Sequence, residues 1–132
     1  MRIIADTNVL VRALTGDDEQ QSKIAQVELA QAEIIALGLP VLCELVWVLA
    51  RGYRNSLPEI ADAIRRLIDG DNVLTNRPAA EAGLAMLDAG GDFADGVLAY
   101  EGRWLGGETF VSFDRKAVSL VEAQGDAARL LS

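Results

Sequence analysis

Carboxylates are the side chains of this sequence best arranged to do chemistry. Histidine is absent and Cys43 is the single cysteine. Ser-His-Asp and Cys-His nucleophiles, thiolate metal centres, an internal disulfide and ordinary zinc sites are therefore excluded. Asp6 directly follows the β-rich run Arg2–Ala5 within "RIIADTNVL". Glu44 is the only charged residue before Arg51 in "VLCELVWVLA", a helical segment apolar on almost every face. An unpaired carboxylate buried there is costly, so Glu44 must either pair, with Arg51 or Arg54 within reach, or face a cavity. "GGDFADGVLAYEG" sets Asp92 and Asp95 three apart in a first helical turn, on roughly one side. Asp92 suits the N-cap position; Asp95 points toward the helix's N-terminal rim. Asp114 follows another apolar run, Thr109–Ser112, after Phe113.

Strand ends of an open parallel sheet converge on a crevice where ligands bind. Carboxylates gathered there repel one another by about 3 kcal/mol per pair at ~5 Å and an effective dielectric near 20. A divalent cation offsets that repulsion, and a ligand set made only of oxygens suits Mg²⁺ or Mn²⁺. Such a metal lowers the pKa of a bound water, neutralises a phosphate and orients in-line attack. Phosphodiester hydrolysis is the chemistry this points to. The formal charge of −8 argues against a general nucleic-acid coat protein. It leaves room for a local site, because a bound cation reverses the potential where it sits.

The elements that must position these acids alternate along the chain. Strand Arg2–Ala5 precedes a helix over Asn8–Leu14 that ends near Thr15-Gly16. A helix over Asp17–Ala32 carries Ile24, Val27 and the Leu29/Ala30 edge at helical spacing, and strand Ile34–Leu37 follows. Pro40 suits the first turn of a helix over about Val41–Gly52, and Ser56-Leu57-Pro58-Glu59 opens another through Asp69. Strand Val73–Thr75 comes next, then helices from Pro78 to about Ala89 and over Asp92–Leu105, each closed by a pair of glycines. Strand Thr109–Ser112, helix Arg115–Gln124 and an edge strand over Arg129–Leu131 complete the order. Strands repeatedly separated by helices predict an α/β fold with a mostly parallel sheet, in one domain over residues 1–132.

"DTNVL" after the first strand, Glu44 in an apolar helix, "DFADGVLA" opening a later helix and "SFDRK" after a late strand resemble the PIN-domain ribonucleases. More narrowly, they resemble the VapC-type toxins of toxin–antitoxin pairs. The resemblance covers essentially the whole chain. It implies a three-layer α/β/α sandwich with a central sheet of four to five strands, and an acidic quartet of Asp6, Glu44, Asp95 and Asp114. Asp6 and Asp95 are then the foremost Mg²⁺ or Mn²⁺ ligands, with Glu44 and Asp114 acting directly, through water or on a second metal. Thr7, Asn8 and Ser112 match supporting positions, and Asp92 is a candidate fifth acid. Arg115 and Lys116, beside Asp114, are the favoured RNA contacts.

The same resemblance implies structured RNA of the transfer or ribosomal class as substrate, inhibition of translation, and a VapB-type antitoxin as partner. Operator DNA would then be bound through the antitoxin. Apolar residues make up 51 % of the chain and mean hydropathy is +0.20, more apolar surface than one small core hides, so a homodimer or stable partner is expected. Trp47, Val48, Leu49 and Leu45 are candidates for a partner groove or for core, and Cys43 for a buried thiol. With no apolar span long enough for a membrane and no secretory signal, the expected setting is the cytoplasm. Two other classes compete. One is an acidic groove that captures a basic peptide without nuclease activity. The other is an aspartate-based phosphoryl-transfer enzyme, which the Asn at position 8 disfavours because a second acid is wanted there.

Overall fold

Proline, glycine and helix-capping acids set most element boundaries. In the computed structural model, which describes residues 1–132, the order is β1 (Arg2–Ile4), α1 (Thr7–Thr15), α2 (Glu19–Gln31), β2 (Ile34–Ala36), α3 (Leu39–Arg51), α4 (Leu57–Ile68), β3 (Val73–Leu74), α5 (Arg77–Asp88), α6 (Phe93–Trp104), β4 (Phe110–Ser112), α7 (Arg115–Ala123) and β5 (Ala128–Leu130). α1 stops where Gly16 takes the left-handed conformation at φ 68°, which a residue without Cβ adopts at no steric cost. α4 opens with a reciprocal cap: the Ser56 N–H donates to the Glu59 carboxylate at 2.9 Å and the Glu59 N–H to Ser56 Oγ at 3.3 Å.

Every strand pairing is parallel, as expected of this α/β class. β1, β2 and β3 form a three-stranded sheet, with Ile3 opposite Ile35 and Ile35 opposite Val73; β4 and β5 form a two-stranded one, with Val111 opposite Arg129. Parallel neighbours need a long crossover, which the intervening helices supply. No helix is long and apolar enough to cross a membrane.

The chain divides into two compact units, Met1–Arg77 and Pro78–Ser132. The core of the first unit is built from Leu10, Leu42, Leu45, Ile60 and Ile64, all fully buried. α4 contributes Ile60, Ile64 and Ile68 at four-residue spacing, the buried stripe of an amphipathic helix. The Asn72 side chain donates to the carbonyls of Leu29 and Ala32 at 3.0 and 2.9 Å. It thereby satisfies orphan groups at the end of α2 while leading the chain into β3.

α2 corrects one expectation. Its buried stripe is Ser22, Ala25 and half-buried Leu29, while Ile24 and Val27 are exposed. Small side chains let α2 lie close against α1, and the larger pair, displaced by two positions, must then face outward. Cys43, expected in the core, is half-buried.

In the second unit Ala79, Ala80, Leu84, Met86 and Phe93 are buried. At Gly96 the backbone of α6 passes so close to α5 that a Cβ placed there would lie 2.3 Å from the Ala82 carbonyl oxygen. Only glycine fits, and the next residue back is Asp95.

Candidate functional site

In the first unit β1 ends at Ile4, the chain passes through buried Ala5, and Asp6 emerges at the C-terminal end of the strand. Asp6 is in an extended conformation and caps α1, its Oδ1 accepting the Thr7 N–H at 2.7 Å. Thr7 is buried, and its hydroxyl donates to Glu44 Oε1 across 37 residues of sequence. This resolves the question raised by the apolar helix. Leu42, Leu45, Val46 and Leu49 of α3 take the core, Glu44 is exposed toward a hollow, and its partner is a threonine rather than Arg51 or Arg54.

Asp6, Thr7, Asn8 and Glu44 line that hollow together, alongside Val11, Arg12, Trp47, Val48 and Tyr53. Thr7 ties the "DTN" segment to Glu44 through that hydrogen bond, and Asn8 is an exposed wall residue.

Tyr53 is the member that sequence reasoning missed. Its hydroxyl donates to Asp17 Oδ2 at 2.7 Å, while the Thr15 hydroxyl and the Arg12 guanidinium each reach Asp17 Oδ1 at 2.9 Å. The three donors, Tyr53 first, then Thr15 and Arg12, hold the Asp17 carboxyl down at about 2, below its ordinary 3.8. A depressed carboxyl contributes stability that is complete above its ordinary pKa and is lost as pH falls through the folded value. Tyr53→Phe is therefore expected to lower stability at neutral pH, with the difference from wild type shrinking as pH falls from about 4 toward about 2. Urea midpoints measured from pH 2 to 7 check this; a difference that stays constant across the range would mean the hydroxyl does not serve the Asp17 carboxylate.

The second unit gathers the other acids. Asp92 caps α6, accepting the Ala94 N–H at 3.2 Å, so its expected capping role is real. Asp114 caps α7 through the Ala117 N–H at 3.1 Å, and its own N–H donates to Ser112 Oγ at 2.9 Å. Asp95 lies half-buried in the first turn of α6. All three acids line one hollow with Lys116; Arg115, expected beside it, is exposed and not part of that wall. Burial, then the charges of Asp92 and Asp114, push the Asp95 carboxyl above its ordinary value.

Each unit thus brings together its own share of the expected acids, Asp6 with Glu44 in one and Asp92 with Asp95 and Asp114 in the other. Nowhere do three or more such groups stand at metal-holding spacing. The donor chemistry nevertheless fits a hard divalent cation: the groups are carboxylate oxygens, and the charges of Asp92 and Asp114, which add to burial in raising Asp95, are ones a cation would relieve.

A PIN domain model matches residues 3–121, a stretch that includes every one of these acids. The chain belongs to the PIN domain family, and its seven helices and parallel strands make a PIN-like α/β fold. PIN domains are in general metal-dependent nucleases, bind RNA and often pair with antitoxins. No curated protein matches the chain significantly.

Proposed function

We propose that this protein is a Mg²⁺- or Mn²⁺-dependent endoribonuclease acting in the cytoplasm as the VapC-type toxin of a toxin–antitoxin module. Free of a VapB-type antitoxin, it cleaves structured RNA of the transfer or ribosomal class and inhibits translation. The observation that carries the nuclease reading is the acid-lined hollow of Asp92, Asp95 and Asp114, where burial and then the two neighbouring acids raise Asp95 and Lys116 is the adjacent cation. The toxin reading rests on the sequence motifs, and the exposed Ile24, Val27, Trp104 and Leu105 favour a protein partner or a homodimer.

Asp6 and Asp95 are assigned as the foremost metal ligands, each in its own unit, Asp6 accompanied by Glu44, and Asp95 by Asp114 with Asp92 in support. A bound divalent ion supplies a water of lowered pKa and neutralises phosphate charge. Thr7 fixes the Glu44 carboxylate, which lines the hollow, through a hydroxyl bond to Oε1. Ser112 holds the backbone at Asp114, and Lys116 attracts a phosphate.

Incubation of the purified protein with structured RNA tests the reading. Cleavage is expected with millimolar Mg²⁺ or Mn²⁺ and not with chelator, and the same ions are expected to stabilise the fold by about 3 kcal/mol at a hundredfold excess over Kd. Expression without a partner is expected to arrest bacterial growth. RNA left intact under all metal conditions would overturn the nuclease reading, and unaffected growth the toxin reading.

A further inference from the structure

Trp47 is out of place for a core residue. Four neighbours on α3, Leu42, Leu45, Val46 and Leu49, take the buried face, and Trp47 remains 60 % exposed. An indole left in water forfeits the largest apolar burial any side chain offers. The position is also specific: Trp47 lies one turn after Glu44 on the same face of α3, and both line the hollow that holds Asp6. Arg51, one turn further on, sets its guanidinium 5.9 Å from the centroid of the Trp47 ring, within cation–π range. Arg12 stands in the same wall, held by Asp17.

Resting on the nuclease reading above, we infer that Trp47 is a stacking platform for an unpaired nucleobase of the RNA, with Arg51 orienting the ring and Arg12 and Arg51 drawing the flanking phosphates. The hollow measures about 360 Å³, in the range of a single small ligand, so it suits one splayed-out nucleotide and not a duplex. Net charge makes such a platform useful. At −8 the chain as a whole repels a polyanion, and stacking holds a base through its π face without help from the protein's charge. Selection of single-stranded substrate follows, because a base paired within a helix is not free to stack on an indole.

The experiment compares wild type, Trp47→Ala and Trp47→Phe, each loaded with Mg²⁺ or Mn²⁺, on a single-stranded oligoribonucleotide and on the same sequence annealed to its complement. Trp47→Ala is expected to raise KM for the single strand about 10- to 100-fold with little change in kcat, and Trp47→Phe to restore most of the affinity. A second readout needs no cleavage. In a Trp104→Phe background Trp47 is the sole tryptophan, and the single strand, added with chelator present, is expected to quench its fluorescence saturably and far more than the duplex does.

Unchanged KM in Trp47→Ala, with wild type cleaving normally, overturns the inference and leaves the nuclease reading intact. Should wild type cleave nothing, that reading fails, and the quenching alone decides: saturable quenching by single-stranded RNA supports the platform. Absence of quenching, or a response only to a polypeptide partner, overturns it.

Discussion

Asp6→Asn is expected to cut RNA cleavage by about a thousandfold, the rate equivalent of the several kcal/mol that a metal centre supplies to a developing phosphoryl charge. The substitution keeps the shape of the side chain. Its amide oxygen can still accept the Thr7 N–H that Asp6 now accepts at 2.7 Å, so the N-terminus of α1 stays capped. What it removes is one of the two carboxylates in the hollow that Asp6 shares with Glu44, and its negative charge. The variant should therefore fold as stably as wild type without metal and lose the Mg²⁺-dependent gain in melting temperature. Cleavage assays and thermal melts on the same preparation separate the two effects. A variant that cleaves normally would remove Asp6 from the site, and one that is inactive because it unfolds would show the residue to be structural.

Helix capping explains much of what was legible beforehand. Asp6, Asp92 and Asp114 each have extended backbone and each cap the helix that follows, and Asp6 and Asp114 also come just after a strand. Local pattern reads all three as caps, as the structure shows, and the arrangement of strands reads Asp6 and Asp114 as rim acids besides. The same short-range chemistry made the elements easy to place: Gly16 in α1, Pro40 in α3 and the Ser56–Glu59 box in α4 all act within a turn of where they occur.

Partnerships across long separations were not legible. An apolar helix shows that Glu44 needs a partner, but nothing in it points to Thr7. Asp17 looks like the acid of a helix start, yet its environment is set by Tyr53 from 36 residues away. Arg54, at φ 54°, is a non-glycine residue in left-handed backbone, and it follows Tyr53 in the turn that closes α3. Periodicity failed on α2 for a related reason. It shows that residues repeat at helical spacing, but a neighbour's shape decides which stripe is buried, and α1 accepts Ser22 and Ala25 in preference to Ile24 and Val27.

The sharpest test of positioning in the second unit is Gly96→Ala. Helix propensity alone predicts a gain, since alanine is favoured over glycine in a helix interior by about 1 kcal/mol. Packing predicts the opposite. The new methyl would meet the Ala82 carbonyl oxygen at 2.3 Å and Met86 Cγ at 2.8 Å. The first is backbone of α5 and cannot rotate away, so α6 must shift, at an overpacking cost of up to about 3 kcal/mol. Packing should win, lowering the melting temperature by roughly 10 °C. Because Asp95 and the capping Asp92 both ride on α6, the shift displaces the Asp95 carboxylate from Asp114, one of the groups that help hold it above its ordinary pKa. Gly96→Ala should then lose cleavage even at temperatures where it is folded, while Gly102→Ala, on the same helix and with open space around the added methyl, should keep both stability and activity. Melting curves and cleavage rates for the pair distinguish a helix that tolerates side chains from one held close at a single residue. Equal stability of the two variants would mean that the approach of α6 to Ala82 is not what fixes Asp95.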